Sequence, residues 1–127
     1  MKIALITLFP EMLEAVTRFG VSGRAVKNEV IEIKCFNPRE FAEDLHKTVD
    51  DRPYGGGPGM VMQIEPLRLA IGAAREWIGG ETLVVYLSPQ GALLDQNAVN
   101  SFSNLDSLVL VAGRYEGIDE RLIGLEV

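Results

Sequence analysis

The sequence predicts an α/β protein: a mostly parallel sheet with helices on both faces. Two observations carry this. The strand candidates at residues 3–8, 82–87 and 108–112 are nearly continuous apolar runs, the pattern of strands buried on both faces rather than on one. Between them lie segments with apolar residues at helical spacing, and strands that alternate with helices favour parallel pairing. A length of 127 residues makes this one domain, large enough to bury roughly two thirds of its unfolded surface.

In chain order, the run at 3–8 ends at Phe9-Pro10. Pro10 suits the start of a helix, Glu11 its first turn, and Met12, Leu13, Ala15 and Val16 supply an apolar stripe that Gly20 terminates. Ser22 is expected to cap a second short helix through Arg24, Ala25, Val26 and Lys27. Residues 30–36 alternate as a strand, with Ile31, Ile33 and Cys35 on one face, and Asn37-Pro38 closes it. A polar segment leads from there into a glycine-rich stretch. The clearest helix follows: Ile64, Leu67, Ile71, Ala74 and Ile78 fall on one face, Pro66 is tolerated in the first turn, and Gly79-Gly80 ends it. After the strand at 82–87 comes a turn, Ser88-Pro89-Gln90-Gly91. Asp95 then caps a helix through Ala98, Val99 and Phe102, and the strand at 108–112 empties into Gly113-Arg114-Tyr115-Glu116-Gly117. The last residues, Leu122 to Val127, are apolar with no cap or polar tail, and the expectation is a chain cut short of its natural end.

The glycine-rich stretch, Asp50-Asp51-Arg52-Pro53-Tyr54-Gly55-Gly56-Gly57-Pro58-Gly59-Met60, is expected to be neither helix nor strand. Four glycines and two prolines in eleven residues suit unusual dihedrals or close approach of a ligand. A flexible surface loop is the plain alternative, and the crowding of Asp50, Asp51, Arg52 and Tyr54 against the glycines favours binding. In parallel α/β sheets ligands lie outside the carboxyl ends of the strands, where residues 86–91 and 113–117 both follow strand candidates. Either loop alone is readily explained as a tight turn. Together on neighbouring strands they suggest a shared small-molecule pocket.

The guest can be narrowed by elimination. No Gly-Lys pair exists for a Walker loop, and Gly57-Pro58-Gly59 is followed by Met60-Val61-Met62 instead of a dinucleotide fingerprint. His46 is the only histidine and Cys35 the only cysteine, which argues against a zinc site and against an internal disulfide. No metal ligand set is proposed. Ser88 lacks the nucleophile elbow of a hydrolase. What remains is a pocket of backbone and short side chains, suited to a nucleoside-like ligand such as an adenosyl cofactor. The net charge of −6 opposes indiscriminate nucleic-acid binding, but it is uneven: residues 1–60 carry −1 and residues 61–127 carry −5. An anionic partner would meet the first half, where Arg24, Lys27, Arg39, Lys47 and Arg52 lie. There is no membrane span and no signal peptide pattern, and the single cysteine suits the cytoplasm.

Five motifs in order resemble one family: Leu8-Phe9-Pro10-Glu11-Met12, Gly23-Arg24-Ala25, the stretch from Asp50 to Met60, Tyr86-Leu87-Ser88-Pro89-Gln90-Gly91, and Gly113-Arg114-Tyr115-Glu116-Gly117-Ile118-Asp119-Glu120-Arg121. Together they are similar to the bacterial tRNA (guanine-N1-)-methyltransferases that modify guanine 37 of tRNA, members of the SPOUT class. The resemblance implies a trefoil knot, a homodimer with the active site at the subunit interface, and S-adenosylmethionine as methyl donor. It implies that Tyr86, Leu87, Ser88, Pro89, Gly91, Gly113 and Glu116 bind the cofactor, and that Pro58, Gly59, Arg24, Arg52 and Arg114 meet the guanine or the tRNA. The family's general base is an aspartate that would fall beyond Val127, so no catalytic residue is expected in this chain. Residues 1–127 are expected to form the amino-terminal, cofactor-binding methyltransferase domain, with the knot incomplete and the carboxyl-terminal tRNA-binding domain absent. The other reading is a non-catalytic fragment that only dimerises or binds an adenosyl ligand. A magnesium requirement is not legible in the sequence.

Overall fold

The computed structural model describes residues 1–41, 50–51, 61–62, 64–87, 92–112 and 117–118. A four-stranded parallel sheet forms its centre, from β1 (Lys2–Ile6), β2 (Glu32–Phe36), β5 (Leu83–Leu87) and β6 (Ser107–Ala112), in the order β2-β1-β6-β5. Three two-residue strands, β3 (Asp50–Asp51), β4 (Val61–Met62) and β7 (Gly117–Ile118), make a second small sheet in the order β3-β4-β7. Two helices separate β1 from β2: α1 (Glu14–Thr17), entered through a 3-10 turn at Pro10–Leu13, and α2 (Gly20–Lys27). Helix α3 (Ile64–Ile78) precedes β5, and α4 (Gln96–Ser103) joins β5 to β6.

Parallel register sets which side chains share a face. Ala4 stands beside Val109 and Ile6 beside Val111 and Phe36, while Val84 pairs with Val109 and Tyr86 with Val111. All of these belong to the core cluster or pack against it, together with the stripe Leu67, Ala70, Ile71 and Ala74 of α3. The helical spacing read from the sequence is buried at Leu67, Ile71 and Ala74 and partly at Ile78, and Ala70 joins it. The opposite face is less complete than the apolar runs predict. Leu108 is buried, Ile3, Leu5, Val85 and Leu110 are half-buried, and Leu83 and Leu87 on the outer strand β5 are exposed. Among the described residues, the face under α3 is the more completely buried.

Local chemistry explains most boundaries. Asp95 caps α4 as expected, its carboxylate accepting from the Ala98 amide at 2.8 Å. Gly79, at φ +88, ends α3 in the left-handed conformation while its amide donates to the Arg75 carbonyl. Beyond that end, the Lys2 ammonium sits 5.0 Å from the Trp77 ring centroid and donates to the Trp77 carbonyl at 3.3 Å.

Four expectations are corrected. The Met12–Val16 stripe is not buried, since no residue of the 3-10 turn or of α1 is, and Met12 is 73% exposed. A four-residue helix following a 3-10 turn is too short to lay one continuous stripe on the sheet. Ser22 does not cap α2. Phe19 holds the N-cap position, and the Ser22 hydroxyl donates back to the Val16 carbonyl at 2.6 Å. The strand expected from Val30 starts at Glu32, because Glu29 at φ +62 turns the chain and the Val30 amide is taken by the Ala25 carbonyl. Asp50 and Asp51, expected to be neither helix nor strand, form β3.

Two predictions arise here. Gly72 lies on the exposed side of α3, and a Cβ added there would meet nothing within 4 Å. Gly72→Ala should therefore raise unfolding free energy by about 0.5–1 kcal/mol, a gain of a few degrees in thermal midpoint. Cys35 on β2 is half-buried, and desolvation raises its thiol above the ordinary value of 9.0. The thiol stays protonated in the fold while the unfolded chain ionises first. The unfolded state then holds fewer protons, so this contribution to stability is full below pH 9.0 and is lost as pH rises toward the folded value. Slower labelling of the folded protein than of free cysteine by a thiol reagent at pH 8–9 is the expected result.

Candidate cofactor and substrate site

Strands β5 and β6 run side by side and finish together, with Leu87 paired to Ala112. The segments 88–91 and 113–116 therefore leave from neighbouring positions at the carboxyl end of the sheet. Four residues after Ala112, β7 begins, and it pairs in parallel with β4: Val61 with Gly117 and Met62 with Ile118. β4 pairs antiparallel with β3, Asp50 with Met62 and Asp51 with Val61. Residues 52–60 are thus held at both ends by a strand pair that is itself bonded to the strand following 113–116. Three stretches singled out separately in the sequence have their flanks tied to one another by backbone hydrogen bonds.

Of the expected site residues, Tyr86, Leu87 and Arg24 are described. Ser88, Pro89, Gly91, Gly113, Glu116, Pro58, Gly59, Arg52 and Arg114 lie outside the described residues. Tyr86 and Leu87 point to opposite faces, as successive strand residues must. The Tyr86 ring packs against the core on the α3 side. Leu87 is 48% exposed beside the small Ala112.

Arg24 stands at the other end of the sheet from Leu87 and Ala112. The Ala25 carbonyl accepts from the Val30 and Ile31 amides, the Met1 amine donates to Val30, and the Met1 carbonyl accepts from Glu32. These contacts place the last turn of α2, which carries Arg24, beside the amino ends of β1 and β2. A five-residue strand at about 3.3 Å per residue separates it by roughly 16 Å from the carboxyl end. The sequence reading placed Arg24 among the residues that meet the guanine or the tRNA. It also missed the small sheet, for which the apolar pair Val61-Met62 directly after the glycines was the available signal.

The four-stranded parallel sheet with its helices defines an α/β domain, here with SPOUT architecture. The family model for tRNA (Guanine-1)-methyltransferase TrmD matches residues 1–127, and the chain belongs to that family. The tRNA (guanine-N(1)-)-methyltransferase of Shewanella sediminis (strain HAW-EB3) is 60% identical over 127 residues, covering 100% of this chain and 52% of that protein. Its counterpart in Pasteurella multocida (strain Pm70) is 58% identical with the same coverage. The crystal structure of the tRNA (m1G37) methyltransferase from Aquifex aeolicus superposes with a TM-score of 0.87 at 32% identity, over 99% of this chain and 56% of that one. The chain spans about half the length of the curated relatives it matches. No helix among the described residues is long and apolar enough to cross a membrane.

Proposed function

We propose that this protein is a tRNA (guanine-N1-)-methyltransferase acting on guanine 37, with S-adenosylmethionine as methyl donor. The reading is supported by the strands that flank these stretches: β5 and β6 end side by side, and β7, which follows 113–116, pairs with β4, which follows 52–60. Two ligands must meet for a methyl transfer, and this topology gives each a loop with a shared border. In the proposed site Leu87 and Gly113 line the adenosine, with Tyr86, Ser88, Pro89 and Gly91 forming the adjoining wall and Glu116 at the polar end. Pro58 and Gly59 seat the guanine, which must leave its stack to be reached. Arg52 and Arg114 meet the tRNA nearby.

The bound sulfonium supplies an activated methyl group. Guanine N1 would accept that methyl group, and its proton would have to pass to a general base, for which we propose an aspartate outside residues 1–127. Orienting the two reactants would supply about 7–11 kcal/mol of barrier reduction, the task proposed for residues 52–60, 88–91 and 113–116. Residues 1–127 form the cofactor-binding domain, act in a homodimer, and work in the cytoplasm. The half-length coverage of the relatives favours a second reading for these 127 residues in isolation, namely adenosyl binding or dimerisation without chemistry.

The test is methyl incorporation from labelled S-adenosylmethionine into tRNA carrying G37, with an A37 tRNA as control, using protein expressed from its whole reading frame. Incorporation confined to the G37 substrate is expected. Equal labelling of both would sink the reading. Calorimetry of the isolated 127 residues with S-adenosylmethionine separates the second reading from loss of binding altogether.

A further inference from the structure

The motif Leu8-Phe9-Pro10-Glu11-Met12 has no part in the site described above, yet it leaves the sheet at the same end. Ile6 of β1 pairs with Val111, which pairs with Tyr86, so these three form one row across the sheet. The next residue along each strand is Thr7, Ala112 and Leu87. Two strand spacings, about 10 Å, therefore separate the start of this turn from Leu87. The turn is fastened from within. The Thr7 amide donates to the Phe36 carbonyl at 3.2 Å, the Thr7 hydroxyl oxygen accepts from the Phe9 amide at 3.1 Å, and the Phe9 carbonyl accepts from the Met12 amide at 3.1 Å. Leu8 is buried, Phe9 packs against the core, and Pro10 opens the 3-10 turn with its backbone angle already fixed. With those residues held, Glu11 and Met12 stand outside: both are exposed, and the Glu11 carboxylate forms no ion pair among the described residues.

We propose that this turn is a further substrate-facing segment of the methyl-transfer site, in which the Glu11 carboxylate accepts a hydrogen bond from the 2-amino group of the target guanine and Thr7 is its positioning residue. This rests on the proposed function, to which it adds a residue that reads the base. A base drawn from its stack is read by hydrogen bonds to its Watson–Crick edge. On that edge guanine offers N1–H and the 2-amino group as donors, and an ionised carboxylate is an acceptor only. Because N1 is the atom that takes the methyl group, the 2-amino group beside it is the donor free to be held. Met12, 73% exposed and next in the chain, supplies a polarisable apolar surface of the kind that suits a purine ring. The plainer role for an acidic residue in the first turn of a helix is to offset its dipole, which would alter stability and leave the choice of base unchanged.

The experiment compares kcat/KM on tRNA carrying guanosine 37 with that on the same tRNA carrying inosine there, which lacks only the 2-amino group, in protein expressed from its whole reading frame. The wild-type protein is expected to favour guanosine about tenfold or more, and Glu11→Ala to bring the two substrates within about twofold of each other. Glu11→Gln, which keeps one acceptor oxygen, should retain part of the preference. Thr7→Val, which removes the acceptor for the Phe9 amide, should shrink the preference in the wild-type background and shrink it no further in the Glu11→Ala background, the mark of a residue acting through Glu11. Thr7→Ser, which keeps the hydroxyl, should restore it. Glu11→Ala protein that keeps the full preference for guanosine, whatever its thermal midpoint, would overturn the contact and leave the proposed function standing. So would wild-type protein that uses the two tRNAs equally well. A Thr7→Val effect of the same size in both backgrounds would overturn the positioning role. Wild-type protein that methylates neither tRNA would overturn both readings.

Discussion

Ile71→Ala is expected to lower the unfolding free energy by about 2–5 kcal/mol. Ile71 is fully buried at the centre of the α3 stripe, packed among Leu67, Ala70 and Ala74 and against the more completely buried face of the sheet. Truncation removes apolar area from burial and leaves a cavity, because helix and sheet backbones cannot close the gap. Against a total stability of about 5–15 kcal/mol typical of domains, such a loss is a large fraction. Leu69, on the same helix but exposed, is the control, and Leu69→Ala should stay within about 0.5 kcal/mol of the parent. Urea denaturation read by far-ultraviolet circular dichroism decides the matter. Equal midpoints for the two variants would mean that α3 does not seal the core.

The second large effect concerns division of labour between two glycines of the proposed site. Gly113 directly follows Ala112 at the end of β6, and Gly59 lies in the stretch bounded by β3 and β4. Gly113→Val is expected to weaken S-adenosylmethionine binding by about a hundredfold, equivalent to about 2.8 kcal/mol. A branched side chain there would occupy the space through which backbone approaches the adenosine. Gly59→Val should leave cofactor binding within about twofold and impair use of tRNA instead, since this glycine is proposed to seat the guanine. Calorimetry with S-adenosylmethionine and steady-state kinetics with tRNA measure the two effects separately. Equal loss of cofactor affinity in both variants would show that the two stretches do not divide the ligands between them.

Much of the arrangement was legible because it depends on neighbours in sequence. The α3 stripe follows from a spacing of three and four residues. The α4 start follows from one carboxylate, that of Asp95, placed before a free amide. The strands β1, β5 and β6 follow from runs of apolar residues, each found within two residues of its expected bounds. The five motifs, quoted residue by residue, led to the family that the whole-chain match establishes.

Other features depend on partners far along the chain. The two-residue strands β3, β4 and β7 have no periodicity to read, and they exist only because Val61 and Met62 find Asp50 and Asp51 on one side and Gly117 and Ile118 on the other. The face on which Tyr86 lies is set by the register of β5 against β6. Arg24 is carried to the amino end of the sheet by the Ala25, Val30 and Met1 backbone contacts, which no local pattern encodes. By itself, then, the sequence determined most of the elements, the family and a set of candidate residues for a nucleoside site. Only the tertiary structure decided which strand ends lie side by side, because hydrogen-bond pairing between distant segments places strands in space and local periodicity does not.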